Sequence, residues 1–181
     1  MPRLGYAITT TGAVSLLGVL SIVSFAPKLI WNASPSTPIG LYSIEPDRSL
    51  KVTDLVAVRP PEPLAGFLAD GGYLPRGVPL LKRVAALPGQ RVCRTGLAIT
   101  VDAVPMGEAL DHDRRGNPLP VWKGCRVVAP GELFLMNWQV RDSLDGRYFG
   151  PLPASAVIGR AIPLYTDEDG DGRFVWRALT R

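Results

Sequence analysis

Histidine is almost missing from this chain of 181 residues, with His112 as the only one. A Ser–His–Asp triad or a Cys–His pair would have to be built around it, and a zinc site would need cysteine and carboxylate partners beside it. His112 lies in Asp111-His112-Asp113-Arg114-Arg115-Gly116-Asn117, a polar stretch that reads as a surface loop. A hydrolase made from this sequence therefore has to activate its nucleophile without histidine. Lysine is scarce as well: Lys28, Lys51, Lys82 and Lys123 are the whole supply. The net charge is +4, yet no run of five Lys or Arg residues occurs, which argues against a nucleic-acid-binding arm. The mild positive balance still suits an anionic membrane surface.

Cysteine is limited to Cys93 and Cys125, which flank a polar, Gly/Pro-rich segment. In an exported domain these two are candidates for a disulfide closing that loop; two isolated thiols are the alternative. Near the C-terminus, Asp167-Glu168-Asp169-Gly170-Asp171-Gly172 looks like half of a calcium loop. It lacks the full spacing and the final Glu, so a solvated turn is expected there. No metal and no cofactor is expected.

What the chain has in quantity is Gly and Pro, 19 and 18 residues respectively. They cut it into short pieces, which predicts strands and turns rather than long helices. The exception is the N-terminus. No charged side chain occurs from residue 4 to residue 27, between Arg3 and Lys28. At about 1.5 Å per residue this stretch reaches across a hydrocarbon core. Residues 1–28 are expected to be a membrane anchor or signal segment, and residues 29–181 a single domain beyond it. Ser24-Phe25-Ala26 fits the small-x-small ending of a cleaved signal, whereas the length of the apolar stretch favours a retained anchor. Trp31 and Tyr42 are candidates for the membrane interface.

Beyond residue 28, apolar or β-branched pieces occur at 41–44, 55–58, 80–86, 91–93, 98–101, 127–128, 132–136 and 157–164, with turn signals such as Pro88-Gly89 and Pro130-Gly131 between them. One short helix is expected over 64–70. The fold class expected is mainly β, with small antiparallel sheets or a barrel behind one N-terminal helix.

Three segments carry the chemistry. The first is Asn32-Ala33-Ser34-Pro35-Ser36-Thr37-Pro38-Ile39-Gly40-Leu41-Tyr42. The second is Leu80-Leu81-Lys82-Arg83-Val84-Ala85-Ala86-Leu87-Pro88-Gly89. The third is Arg141-Asp142-Ser143-Leu144-Asp145-Gly146-Arg147-Tyr148-Phe149-Gly150-Pro151. Each alone passes for turn or strand material. In this order behind a membrane segment they resemble the signal peptidase I superfamily, and more closely its TraF-type branch of conjugal-transfer peptidases. The spacing Ser36-x-Pro38-x-Gly40 is similar to that branch, while ordinary signal peptidases usually place Met after the nucleophile and the Pro one residue later.

The resemblance implies a serine endopeptidase with a signal-peptidase-like β domain, in which Ser36 is the nucleophile and Lys82 its general base. The residue types make physical sense. A serine hydroxyl needs a base, an exposed lysine with a pKa near about 10.4 is protonated, and burial disfavours the ammonium. Leu80, Leu81 and Val84 supply an apolar context. The resemblance further implies an oxyanion donor at Ser34, orientation of Lys82 by Ser143, and an Asp145–Arg147 ion pair that holds the third segment. The branch counts the residue at Asp145 as essential; a supporting role is expected, because a carboxylate beside the lysine favours its inactive form.

The implied substrate is a pilin precursor, cut at the bacterial inner membrane on the periplasmic side, with the acyl-enzyme open to capture by the pilin's own amine to give a cyclic product. Implied partners are the membrane, that precursor and other conjugative transfer components, without nucleic acid. A general signal peptidase and a non-enzymatic scaffold are the alternatives.

Overall fold

The computed structural model describes residues 2–22, 27–46 and 49–178. It begins with helix α1, Pro2–Ile22. Among the described residues no helix is long and apolar enough to cross a membrane. Thr9-Thr10-Thr11, Ser15 and three glycines dilute the apolar side chains of α1, and the Thr9 hydroxyl turns back to the carbonyls of Gly5 and Tyr6. The Ser24-Phe25-Ala26 pattern lies outside the described residues.

The rest is mainly β. Strands β1 (Leu29–Asn32) and β2 (Ile39–Glu45) form a hairpin around the first motif. Then come β3 (Leu55–Val58), helix α2 (Leu64–Asp70) and β4 (Leu80–Ala86). β5 (Arg91–Thr95), β6 (Ala98–Val101), β7 (Val104–Glu108) and β8 (Gly124–Val127) make a separate four-stranded sheet in the order β7-β6-β5-β8. β9 (Glu132–Leu135), helix α3 (Gly146–Phe149), β10 (Leu152–Pro153), β11 (Val157–Asp167) and β12 (Val175–Trp176) complete the chain. The larger sheet runs β1-β2-β11-β3-β4-β9-β10, with β12 on β11. All pairings are antiparallel.

Strand β3, Leu55-Val56-Ala57-Val58, is buried at every position, as expected of a β-branched run at the middle of a sheet covered on both faces. Leu55 and Ala57 pack with Tyr42, Ile44, Leu81 and Ala161. Val56 and Val58 pack with Val84, Leu133 and Leu135 on the other side. A third cluster, containing Ala85, Ala86, Val92, Ile99, Phe134 and Met136, joins β4 and β9 to the smaller sheet. Tyr42 is thus a core residue, 1% exposed, with its hydroxyl donating to Pro38 O at 2.7 Å; the expectation that it faces a membrane is corrected. Its place follows from strand alternation, which turns Gly40, Tyr42 and Ile44 inward together.

Gly40 has φ +148°, and a Cβ there would stand 2.2 Å from the Tyr165 carbonyl. Only glycine lets β2 approach β11 this closely beside the Ser36 loop. Cys93 and Cys125 are register partners on β5 and β8 and are joined by a disulfide with Cα atoms 4.0 Å apart. Asp167 uses its carboxylate on the backbone amides of Gly170, Asp171 and Gly172, so the acidic C-terminal stretch is closed by its own backbone.

Candidate active site

The loop between β1 and β2 carries Ser34 and Ser36. Its shape is held by Asn32, a side chain that sequence reasoning passed over. Asn32 Nδ2 donates to the carbonyls of Ser34, Thr37 and Pro38 at 2.8, 3.1 and 3.0 Å, and its Oδ1 accepts from Ser34 N. One buried amide therefore fixes five residues of loop. Ser34 Oγ donates to Ser36 Oγ at 3.1 Å and accepts from Ser36 N at 3.4 Å. The oxyanion donor expected at Ser34 is thus the neighbour of a second candidate donor, the Ser36 amide.

Ser36 lines three open cavities of about 500, 540 and 510 Å³. The first is walled by Arg83, Trp138 and Glu168, the second by Tyr73, Arg114 and Arg115. The third is mostly apolar, with Leu68, Leu74, Val78 and Leu81, and it also contains Lys82 and Ser143.

Lys82 sits in β4, opposite Val56 of β3, and is 4% exposed. Strand alternation sends Leu81 into the core and Lys82 to the other face, where its Nζ donates to Ser143 Oγ at 2.7 Å. Burial pushes its pKa down to about 8; the Asp145 carboxylate opposes this and the Arg147 guanidinium adds to it. At neutral to mildly alkaline pH a usable fraction of this amine is neutral, which an exposed lysine does not offer.

Asp145 and Arg147 are fully buried partners. Arg147 Nε and Nη2 bind Asp145 Oδ1 and Oδ2 at 2.9 and 2.8 Å in a two-pronged pair. Arg147 also donates to the carbonyls of Asn137, Val140, Arg141 and Ser143. The guanidinium is therefore the hub that folds 137–147 into one rigid loop. Asp145 caps α3 by accepting from Arg147 N, and its Oδ2 accepts from Asn137 N at 3.0 Å. Gly146 is required next to it, since a Cβ would meet Phe134 at 2.6 Å and Leu135 O at 2.7 Å.

The structure thus brings Ser34, Ser36, Lys82 and Ser143 to one cavity and sets Asp145 and Arg147 behind it. Cys93 and Cys125 lie in the smaller sheet. His112 is exposed and bridges to Pro118. Asn137, a second residue that sequence reasoning missed, donates from Nδ2 to Ser36 O at 2.8 Å. Its one visible signal is position: it is the first polar residue after the buried run Leu133-Phe134-Leu135-Met136.

A family model described as signal peptidase, peptidase S26, matches residues 3–165. A probable conjugal transfer protein TraF of Sinorhizobium fredii is 36% identical over 174 residues, covering 90% of this chain and 88% of that protein. A conjugal transfer protein TraF of Agrobacterium tumefaciens is 37% identical over 167 residues, with coverages of 86% and 93%. A plasmid transfer protein TraF of Escherichia coli is 30% identical over 147 residues, with coverages of 75% and 81%.

Proposed function

The chain belongs to the signal peptidase, peptidase S26 family, and from that premise we propose that it is a TraF-like conjugal-transfer serine endopeptidase working through Ser36 and Lys82. The observation that carries this reading is the buried Lys82, with a lowered pKa and a hydroxyl partner, in the same cavity as Ser36.

In the proposed reaction, neutral Lys82 Nζ takes the Ser36 hydroxyl proton as Oγ adds to the scissile carbonyl. The developing oxyanion is met by the Ser36 N–H and the Ser34 hydroxyl, which leave their mutual contact to do so. The Lys82 ammonium then gives its proton to the departing amine, and an ester on Ser36 remains. Water or a second amine breaks that ester, with Lys82 again taking the incoming proton. Ser143 keeps the lysine aimed through both halves of the reaction. Asp145 and Arg147 hold the loop that carries Ser143.

The substrate we propose is a pilin precursor, with cyclisation when its own amine wins over water at the ester. The apolar cavity beside Lys82 suits an extended apolar segment of such a chain. We place the catalytic domain on the periplasmic side of the inner membrane, tethered through the N-terminal segment. The aromatic series Trp31, Phe174, Tyr165 and Trp176, each ring stacked or tilted on the next, supports this. Trp31 and Trp176 are 56% and 68% exposed, as in interfacial belts.

The test is mass spectrometry of the pilin from donor cells carrying wild type, Ser36→Ala or Lys82→Ala. Trimmed pilin should appear only with wild type, and a mass lower by one water than the linear product marks cyclisation. Full processing by Lys82→Ala removes the base assignment.

A further inference from the structure

We propose that Asn137 is a positioning residue, whose side-chain amide locks the strand of Lys82 to the loop of Ser36 and transmits the Asp145–Arg147 clamp to both. This rests on Ser36 and Lys82 being the reacting pair.

Asn137 lies two residues past the end of β9, and its side chain continues the β4–β9 ladder after the strand has ended. Met136 N donates to Arg83 O at 2.9 Å as an ordinary rung. One residue later the Asn137 amide acts as a substitute peptide group: Oδ1 accepts from Arg83 N at 3.0 Å and Nδ2 donates to Leu81 O at 3.2 Å. These two backbone groups flank Lys82 on either side. The second Nδ2 proton goes to Ser36 O at 2.8 Å, 101 residues away in sequence. Both donor hydrogens and the acceptor are in use. The Arg83 N–H fixes which end of the amide is oxygen, so the orientation is determined by the network.

The backbone of the same residue is gripped by the clamp. Asn137 N donates to Asp145 Oδ2 and Asn137 O accepts from Arg147 Nη2. Asn137 is 4% exposed, so water competes weakly for these contacts. The three segments that carry the site thus meet in one residue. This gives Asp145 a way to act on the pair without touching it.

Other side chains fail here for stated reasons. Aspartate keeps an acceptor for Arg83 N but turns carboxylate oxygens onto the carbonyls of Leu81 and Ser36, and it adds a negative charge next to Lys82. The charged groups already facing Lys82 are Asp145 and Arg147; its cross-strand neighbour in β3 is the apolar Val56. Alanine removes all three bonds without adding charge.

The experiment uses the full chain and a p-nitrophenyl ester as acylating probe. The burst of p-nitrophenolate counts competent sites, and the burst rate against pH reports the base. Asn137→Ala should acylate about 10–100-fold more slowly per competent site, with the acid limb of the pH profile unmoved. Asn137→Asp should be slow as well, with its limb moved up by about one pH unit or more. The proposal is overturned if either variant keeps the wild-type rate per competent site and loses only burst amplitude, since that is a folding defect. It is also overturned if Asn137→Asp leaves the limb in place. Ser36→Ala separates the premise from the proposal: a burst that survives this change, or a wild type without one, removes the Ser–Lys reading itself.

Discussion

Lys82 Nζ and Ser143 Oγ are 2.7 Å apart in a buried contact between residues 61 positions apart in sequence. The hydroxyl accepts from the amine, so it leaves the nitrogen lone pair free to face away from Ser143 when Lys82 is neutral. Removing it lets a flexible four-carbon stem wander in the cavity. Ser143→Ala should lower kcat/KM by about 10–100-fold, with the loss in kcat rather than KM, because in the proposed reaction the contact orients the base and does not bind substrate. Ser143→Thr, which restores a hydroxyl, should recover part of it. Steady-state kinetics of the three proteins checks this, and a loss confined to KM contradicts it.

Lys82 carries a stability cost along with the chemistry proposed for it. Its folded pKa of about 8 lies below its ordinary value of 10.5 because of burial. Between these values the unfolded chain binds more protons than the folded one, so stability rises with pH from about 8 to about 10.5. Below about 8 the full cost is present, on the order of 3 kcal/mol. Lys82→Met keeps the volume and removes the charge. It should be inactive and yet more stable than wild type at pH 7, with the gain shrinking toward pH 10. Urea melts at both pH values decide this; a variant less stable at pH 7 contradicts the assignment of burial as the cause. The same pKa predicts that the cleavage rate of wild type climbs through about pH 8.

Asp145 tests clamp against catalyst. Asp145→Asn keeps the shape but leaves the Arg147 guanidinium buried without its counter-charge, a loss of about 3–5 kcal/mol. The expected outcome is a large fall in Tm together with lost activity. A variant with wild-type Tm and no activity would instead give the carboxylate a direct part in the reaction.

How much of this was legible in sequence depends on the range of the interactions involved. The strands over 55–58, 80–86 and 98–101 and the helix over 64–70 have the bounds read from pattern, because each is an apolar run stopped by Gly, Pro or a charged turn. Strand β1 was missed, since Leu29–Asn32 is a short piece between the expected membrane segment and the Ser36 motif, and its strand character shows only in its pairing with β2. Helix α3 is one turn long and is held by the Asp145 cap and the buried Arg147, neither of which has a periodicity. The family resemblance carried by the three motifs pointed to Ser36, Lys82, Ser143, Asp145 and Arg147. It was silent on Asn32 and Asn137, whose roles come from bonds to backbone carbonyls, and any residue type can offer a carbonyl.

The Cys93–Cys125 disulfide gives the last prediction, because it separates stability from catalysis. It spans 32 positions and ties β5 to the exposed edge strand β8. The loop-closure model assigns such a bond roughly 3–4 kcal/mol. The site is built from the other sheet and the 137–147 loop, and the smaller sheet joins it through the Val92, Ile99 and Phe134 cluster and through Arg94, which donates to Arg147 O. Cys93→Ser with Cys125→Ser should therefore lower the unfolding free energy by about that amount. Activity per folded molecule should stay within about twofold of wild type at a temperature where both are folded. Denaturant melts with and without reductant, alongside cleavage assays, check both halves. A double variant that is stable but inactive would mean that the smaller sheet contributes to the site directly.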